Sequence, residues 1–154
     1  MNTHQVLARL ARAWAELEQS YAGLPEARLL TPGVTGAWSV RDIIAHVTWW
    51  EEEALQHLPE IREGRRPPRY SVRFGGIDAF NAMKTDALRD LPLVDVLRKR
   101  DEVHARLVDY VRGLPDDLFA RETRFRRRLR ADTYGHYPIH ARAIRAWREA
   151  STLR

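Results

Sequence analysis

Cysteine is absent from this chain of 154 residues. Disulfides, thiolate metal sites and a cysteine nucleophile are therefore excluded, and a reducing cytoplasm suits the composition. Long apolar runs are missing too, so no stretch approaches the length of a membrane span. The opening residues, MNTHQVLARLARAWAELEQSY, carry charges throughout and lack the uninterrupted apolar core of a secretory signal. Strand alternation and internal repeats are also lacking. One domain over residues 1–154, located in the cytoplasm, is the expectation. What is present is an ordinary balance of 44% hydrophobic and 31% charged residues, enough for one hydrophobic core at this length.

The net charge is +5, which raises the question of nucleic acid. The cations are mostly arginine and are interspersed with acids. The densest cluster is Arg124, Arg126, Arg127, Arg128 and Arg130, with Arg65, Arg66 and Arg69 a second. Neither accompanies a reader motif. Both are read as solvated surface, and nucleic-acid binding ranks last among the functional readings.

Helical periodicity organises the chain. Val6, Leu7, Leu10, Trp14, Leu17 and Tyr21 form one stripe over Thr3 to Tyr21. A second helix opens at Ser39, where Ser39-Val40-Arg41-Asp42 resembles a capping box. Ile43, Val47, Trp50 and Ala54 are its inner stripe, and Pro59 is expected to end or bend it. Gly64 to Gly76, rich in Pro, Arg and Gly, is a long connection of a kind that is often functional. A third segment comes in two pieces, Ile77 to Arg89 and Pro92 to Arg112, with Gly113 as a stop. Leu114 to Thr133 is mixed, with a turn at Pro115 to Phe119. The last helix runs from about Thr133 to Thr152, with Pro138 in its first turn or kinking it. Long amphipathic helices without strands bury their stripes on one another, so the fold class is all-α, a four-helix bundle with a long connection between helices 2 and 3.

Histidine carries the chemistry. His136 and His140 stand four apart, which on a helix brings both imidazoles to one face. Such a pair alone is weak. His46, in an apolar stretch about two turns into the second helix, needs a partner if buried. If helices 2 and 4 pack side by side, the three rings converge at one end of the bundle. Three protein ligands leave one coordination position open, as in a catalytic metal site.

GAWSVRDIIAHVTWWEEEAL, followed much later by TYGHYPIHARAIRAWRE, resembles the DinB-like superfamily, and within it the ClbS/DfsB family. The likeness spans about Val6 to Trp147 and includes Phe80-Asn81 and the Leu93 to Leu97 stretch. It implies a four-helix bundle, often a homodimer, in which many members hold a divalent metal, zinc or nickel, on three histidines. Those positions fall on His46, His136 and His140. It further implies transfer of a low-molecular-weight thiol, or hydrolysis of a strained electrophile in detoxification. Members of the ClbS-like branch can lack the complete histidine set; this chain keeps it.

Around that triad, Glu53 is a candidate general base, against the plainer reading of a solvent-facing charge in the Glu51-Glu52-Glu53 run. Trp50, Asn81 and Tyr137 are candidate substrate-pocket residues, and Tyr134 flanks the pair. Trp38, Trp49, Trp50 and Trp147 are read first of all as core, and Trp38 also as a staple before its helix. His4, His57 and His104 are assigned no function. A metal-dependent transferase or hydrolase acting on a small molecule competes with a non-enzymatic protein that sequesters one.

Overall fold

The computed structural model describes residues 1–152. Within them the chain is helical, with no strand beyond one isolated bridge between Thr35 and Trp38. The elements are α1 (Thr3–Tyr21), α2 (Glu26–Leu29), α3 (Val40–Arg62), α4 (Tyr70–Arg73), α5 (Ile77–Ala87), α6 (Leu93–Arg112), a short 3-10 turn (Asp116–Phe119), α7 (Arg124–Asp132) and α8 (Tyr137–Thr152). The expected all-α bundle is thus present. Its long members are α1, α3, α6 and α8, with α1 against α8 and α3 against α6. No helix among the described residues is long and apolar enough to cross a membrane.

Helix α3 is the centre. Its capping box forms as expected: the Ser39 hydroxyl accepts from the Asp42 amide at 3.2 Å, and Asp42 accepts from the Ser39 amide at 3.0 Å. From Val40 to Trp50 every residue except Asp42 is buried, because α5, α6 and α7 all pack on this helix. A helix enclosed on this many sides has no polar face to spare. Its polar residues His46, Glu51, Glu53 and His57 are therefore buried as well.

Pro59 does not end α3, which continues to Arg62. Proline removes one amide and crowds the preceding turn, but burial of Leu58 (0% exposed) holds the last turn in place. The helix stops where Gly64 takes φ 85° and the Arg65 amide reaches back to the Glu60 carbonyl at 2.9 Å. Arg41, also buried, reaches the Leu88 and Leu91 carbonyls and so closes the end of α5 against α3.

Two boundaries differ from expectation. Helix α7 falls in the stretch read as mixed. Its apolar stripe is only Phe125 and Leu129, both buried on α3's side of the bundle, and Thr123 caps it through the Arg126 amide at 3.1 Å. The Arg cluster is correspondingly less solvated than expected: the Arg126 and Arg128 side chains are 18% exposed, and Arg128 is paired with Asp132. Helix α8 begins at Tyr137 rather than Thr133, because Thr133 adopts φ −133° and ψ −106°, outside the helical region. Pro138 accordingly sits in the first turn, where a missing amide costs nothing.

Candidate metal centre

His46 lies on α3, His140 in the first turn of α8, and His136 on the turn just before α8. His136 is therefore not inside the helix, but the turn is wound tightly enough to preserve the spacing. The His136 and Tyr137 amides both bond the Thr133 carbonyl, at 2.8 and 2.9 Å, and the Ile139 amide bonds the His136 carbonyl at 3.1 Å. The structure brings all three rings together. His136 Nε2 is 3.0 Å from His46 Nε2 and 2.9 Å from His140 Nε2. His46 and His140 are buried and His136 half-buried.

Hydrogen bonding does not account for this arrangement. A ring nitrogen has one in-plane direction and either donates or accepts along it. His136 Nε2 can therefore satisfy one of its two short contacts but not both. A single cation satisfies three inward lone pairs at once, and two nitrogens bound to one ion at 2.0–2.1 Å lie about 2.9–3.4 Å apart. Two of the three separations fall in that range and all three nitrogens lie within 4.8 Å of one another, so the donor set suits a divalent ion, and the three Nε2 atoms are the ones that would hold it.

Electrostatics favour the same state. Burial and the two neighbouring imidazoles push His46 down to about 2. Burial and His140 push His136 down to about 3. Burial alone pushes His140 down to about 4. All three are neutral at pH 7, the form a metal requires. With Nε2 facing inward, each proton sits on Nδ1. Those Nδ1 atoms are buried and have no partner among the described residues, so the outer carboxylate that usually orients a metal-binding imidazole is missing. Aromatic packing orients His46 instead: its ring centroid lies 4.6 Å from Trp38 and 5.0 Å from Trp49.

Gly135 sets the position of His136. A Cβ there would lie 2.8 Å from the Arg130 carbonyl oxygen, which the Gly135 amide itself contacts at 2.8 Å. Backbone cannot yield as a flexible side chain does. Gly135→Ala is expected to cost about 1–3 kcal/mol and to displace His136. Chemical denaturation reads the first effect. A weaker zinc affinity, by isothermal titration at matched folded fraction, reads the second.

The remaining expected residues are distributed differently. Asn81 Oδ1 accepts from the indole nitrogens of both Trp49 (3.2 Å) and Trp50 (3.0 Å). Indoles only donate, so Asn81 must present its oxygen to them, and its amide nitrogen is the end left for a ligand. Asn81 lines a cavity of about 390 Å³ together with Trp38, Ala82, Thr85 and the acids Asp78 and Asp86. Trp38, read from the sequence as a packing residue, thus stands between that cavity and His46. Trp50 packs away from it, on Tyr70 and Phe80. Tyr137, expected in the pocket, is 0% exposed and packs on Trp14 in the core, with a ring separation of 5.2 Å. His136 ends the turn before α8 and Tyr137 opens the helix, and the two side chains face different parts of the bundle, His136 toward His46 and Tyr137 toward Trp14. Tyr134 is also buried.

Glu53 is neither solvent-facing nor in the histidine cluster. It is 9% exposed, accepts a 3.1 Å hydrogen bond from the Tyr70 hydroxyl and lies 3.6 Å from His57 Nε2. Seven residues beyond His46, it is about 10 Å further along the helix axis. A second buried polar group escaped the sequence altogether. Glu51, 1% exposed, meets His104 Nδ1 at 3.0 Å, and His104 stacks flat on Trp14 with 3.6 Å between centroids. The available signal was His104's place beside Val103 and Leu107 on the buried face of α6.

A family model described as the DinB superfamily matches residues 9–142. No curated protein matches the chain in sequence. Three solved structures share the fold. One, described as Sibling Lethal Factor Precursor - DfsB, has a TM-score of 0.78 at 13% identity, over 98% of this chain and 97% of that one. An uncharacterised protein from Escherichia coli UTI89 has a TM-score of 0.80 at 14% identity, over 98% and 95%. A protein from Streptococcus pneumoniae has a TM-score of 0.77 at 14% identity, over 97% and 91%.

Proposed function

We propose that this chain, which belongs to the DinB superfamily, is a metal-dependent enzyme of the ClbS/DfsB type that acts on a small molecule, as a homodimer in the cytoplasm. The observation that carries the reading is the convergence of three buried, neutral imidazoles, with His136 Nε2 at 3.0 and 2.9 Å from its two neighbours. A divalent ion held there, zinc or nickel, supplies Lewis acidity and lowers the pKa of a water or thiol. The reaction in this reading is transfer of a low-molecular-weight thiol or hydrolysis of an electrophile, in detoxification or stress.

The chain's own residues supply the rest. His46, His136 and His140 would hold the ion. In this reading substrate rests in the cavity beside Trp38, the ring that packs on His46. The free amide nitrogen of Asn81 donates to a substrate oxygen, while the two indoles fix its direction. Glu53 lies too far along α3 to act at the triad directly, so no proton transfer is assigned to it.

Elemental analysis of the purified protein is expected to find zinc or nickel near one equivalent per chain, and His46→Ala/His140→Ala to abolish it. Protein that is metal-free as purified and also refuses added zinc and nickel overturns the reading. The cavity beside Trp38 also suits a protein that sequesters its ligand without converting it. Assays of a thiol with an electrophile separate the two: many products per chain mark an enzyme, and protection capped at one ligand per chain marks a sequestering protein.

A further inference from the structure

The loop that follows α3 and the helix α7 face one another across a concavity of about 490 Å³. Five of its lining residues are arginines, Arg66, Arg69, Arg124, Arg127 and Arg128, and none is acidic. Neighbouring acids are already engaged. Asp132 pairs with Arg128, Glu63 with Arg65, and Glu122 with Arg130 and Arg126. Among the described residues Arg66, Arg69, Arg124 and Arg127 form no ion pair with any acid. Two segments nearly sixty residues apart in sequence therefore bring uncompensated guanidinium groups to one hollow. A merely solvated charge run would spread them apart to reduce their repulsion.

The walls are stiff. Pro67 and Pro68 restrict the loop. Arg124 Nη1 donates to the Arg65 carbonyl at 3.3 Å, which ties α7 to the loop directly. Arg128 donates to the Tyr70 hydroxyl at 2.7 Å, and Tyr70 in turn donates to Glu53 on α3. Arg124 and Arg128 are thus fixed on one wall, and Arg66, Arg69 and Arg127 stand exposed around them, an arrangement that favours an anion carrying several charges in a small volume. Arginine forks match phosphate oxygens in pairs. Ile61, Pro67 and Ala131 add apolar surface to the same hollow, suited to an organic group attached to the phosphates. A duplex backbone would need an extended stripe of charge rather than a compact hollow.

We propose that this concavity is a second ligand site, separate from the histidine cluster, that binds a small molecule bearing a di- or triphosphate group. None of its lining residues belongs to the triad or to the cavity beside Trp38. The test is calorimetric titration of the full chain with inorganic tripolyphosphate, at about 50 mM salt and again at about 200 mM. One ion per chain is expected. Arg66→Ala/Arg127→Ala, both at exposed positions, should weaken binding tenfold or more. Arg12→Ala/Arg142→Ala, the same charge change elsewhere on the surface, should change it less than twofold. Binding should survive in His46→Ala/His140→Ala, where chelation of a triad metal plays no part. The proposal is overturned if tripolyphosphate does not saturate, if both arginine pairs weaken it equally, or if binding vanishes with the histidines. Duplex DNA that binds tightly through the same arginines, and that tripolyphosphate fails to displace, overturns it in favour of a nucleic-acid surface. Because the histidine variant carries its own readout, failure here leaves the metal reading standing, and failure of the metal reading leaves this one.

Discussion

His104→Ala is expected to destabilise the protein by about 3–5 kcal/mol, the cost of stranding a charge whose buried partner is removed. Glu51 is 1% exposed and its Oε2 has His104 Nδ1 at 3.0 Å. Its other oxygen and the nearby Tyr137 hydroxyl complete no hydrogen bond among the described residues. Burial pushes the Glu51 carboxyl up, and the His104 contact is the main effect that opposes it. Without the imidazole, the Tyr137 hydroxyl is the neighbouring group that still favours the charged carboxylate, and Glu51 must either stay charged on that one neutral neighbour or take up a proton. The variant also leaves a hollow against Trp14, on which His104 stacks. For a chain of this length the loss corresponds to a fall in Tm of about 10 °C. Adding Glu51→Gln to His104→Ala should recover part of it, because the stranded charge is gone while the shape is kept. A double variant no more stable than the single one would place the cost in the Trp14 contact rather than in the charge. Urea unfolding of the four proteins as a double-mutant cycle distinguishes the two.

The same pair shows where sequence reading stops. Periodicity made α1, α3 and α6 legible because their stripes repeat over many turns, and Ser39 with Asp42 marked the start of α3 by a local rule that needs no partner. The three histidines were legible as a set because the resemblance to a known family joined His46 to His136 and His140 across ninety residues. What was not legible depends on distant packing. Glu51, Glu52 and Glu53 read as one charged run, yet Glu51 turns to α6 and Glu53 to Tyr70, while Glu52 alone is left half-exposed on the outside. Helix α7 shows only Phe125 and Leu129 as its apolar signal amid five arginines, too short a stripe to stand out until α3 is there to receive it. Pro59 has a strong local tendency to end a helix, and the tertiary burial of Leu58 overrides it. Tyr137 is adjacent to His136 in sequence, but its side chain belongs to the core beside Trp14.

Metal-free protein is expected to lose stability steadily as the pH falls below about 6.5, the value at which a histidine in an unfolded chain takes up its proton. In the folded chain His46, His136 and His140 are held at about 2, 3 and 4. The folded pKa values are depressed, so between pH 6.5 and about 4 the unfolded chain binds protons that the folded chain refuses. Their contribution to stability is complete above 6.5 and is lost as the pH drops. At pH 5 each refused proton is worth about 2 kcal/mol, and the three sites couple through their short contacts, so their effects do not simply add. Urea midpoints of chelator-treated protein at pH 8, 6 and 5 should fall in that order. His46→Leu/His140→Leu should flatten the decline, because leucine fills the same buried space and has nothing to protonate. A wild-type midpoint that stays level down to pH 5, or a decline unchanged in the leucine variant, would show that these imidazoles are not held neutral by burial. The same argument bears on the metal. An ordinary histidine site must shed protons to bind below pH 6.5, whereas this one is already deprotonated, so zinc affinity should stay flat from pH 8 to about 5.5 for as long as the chain remains folded.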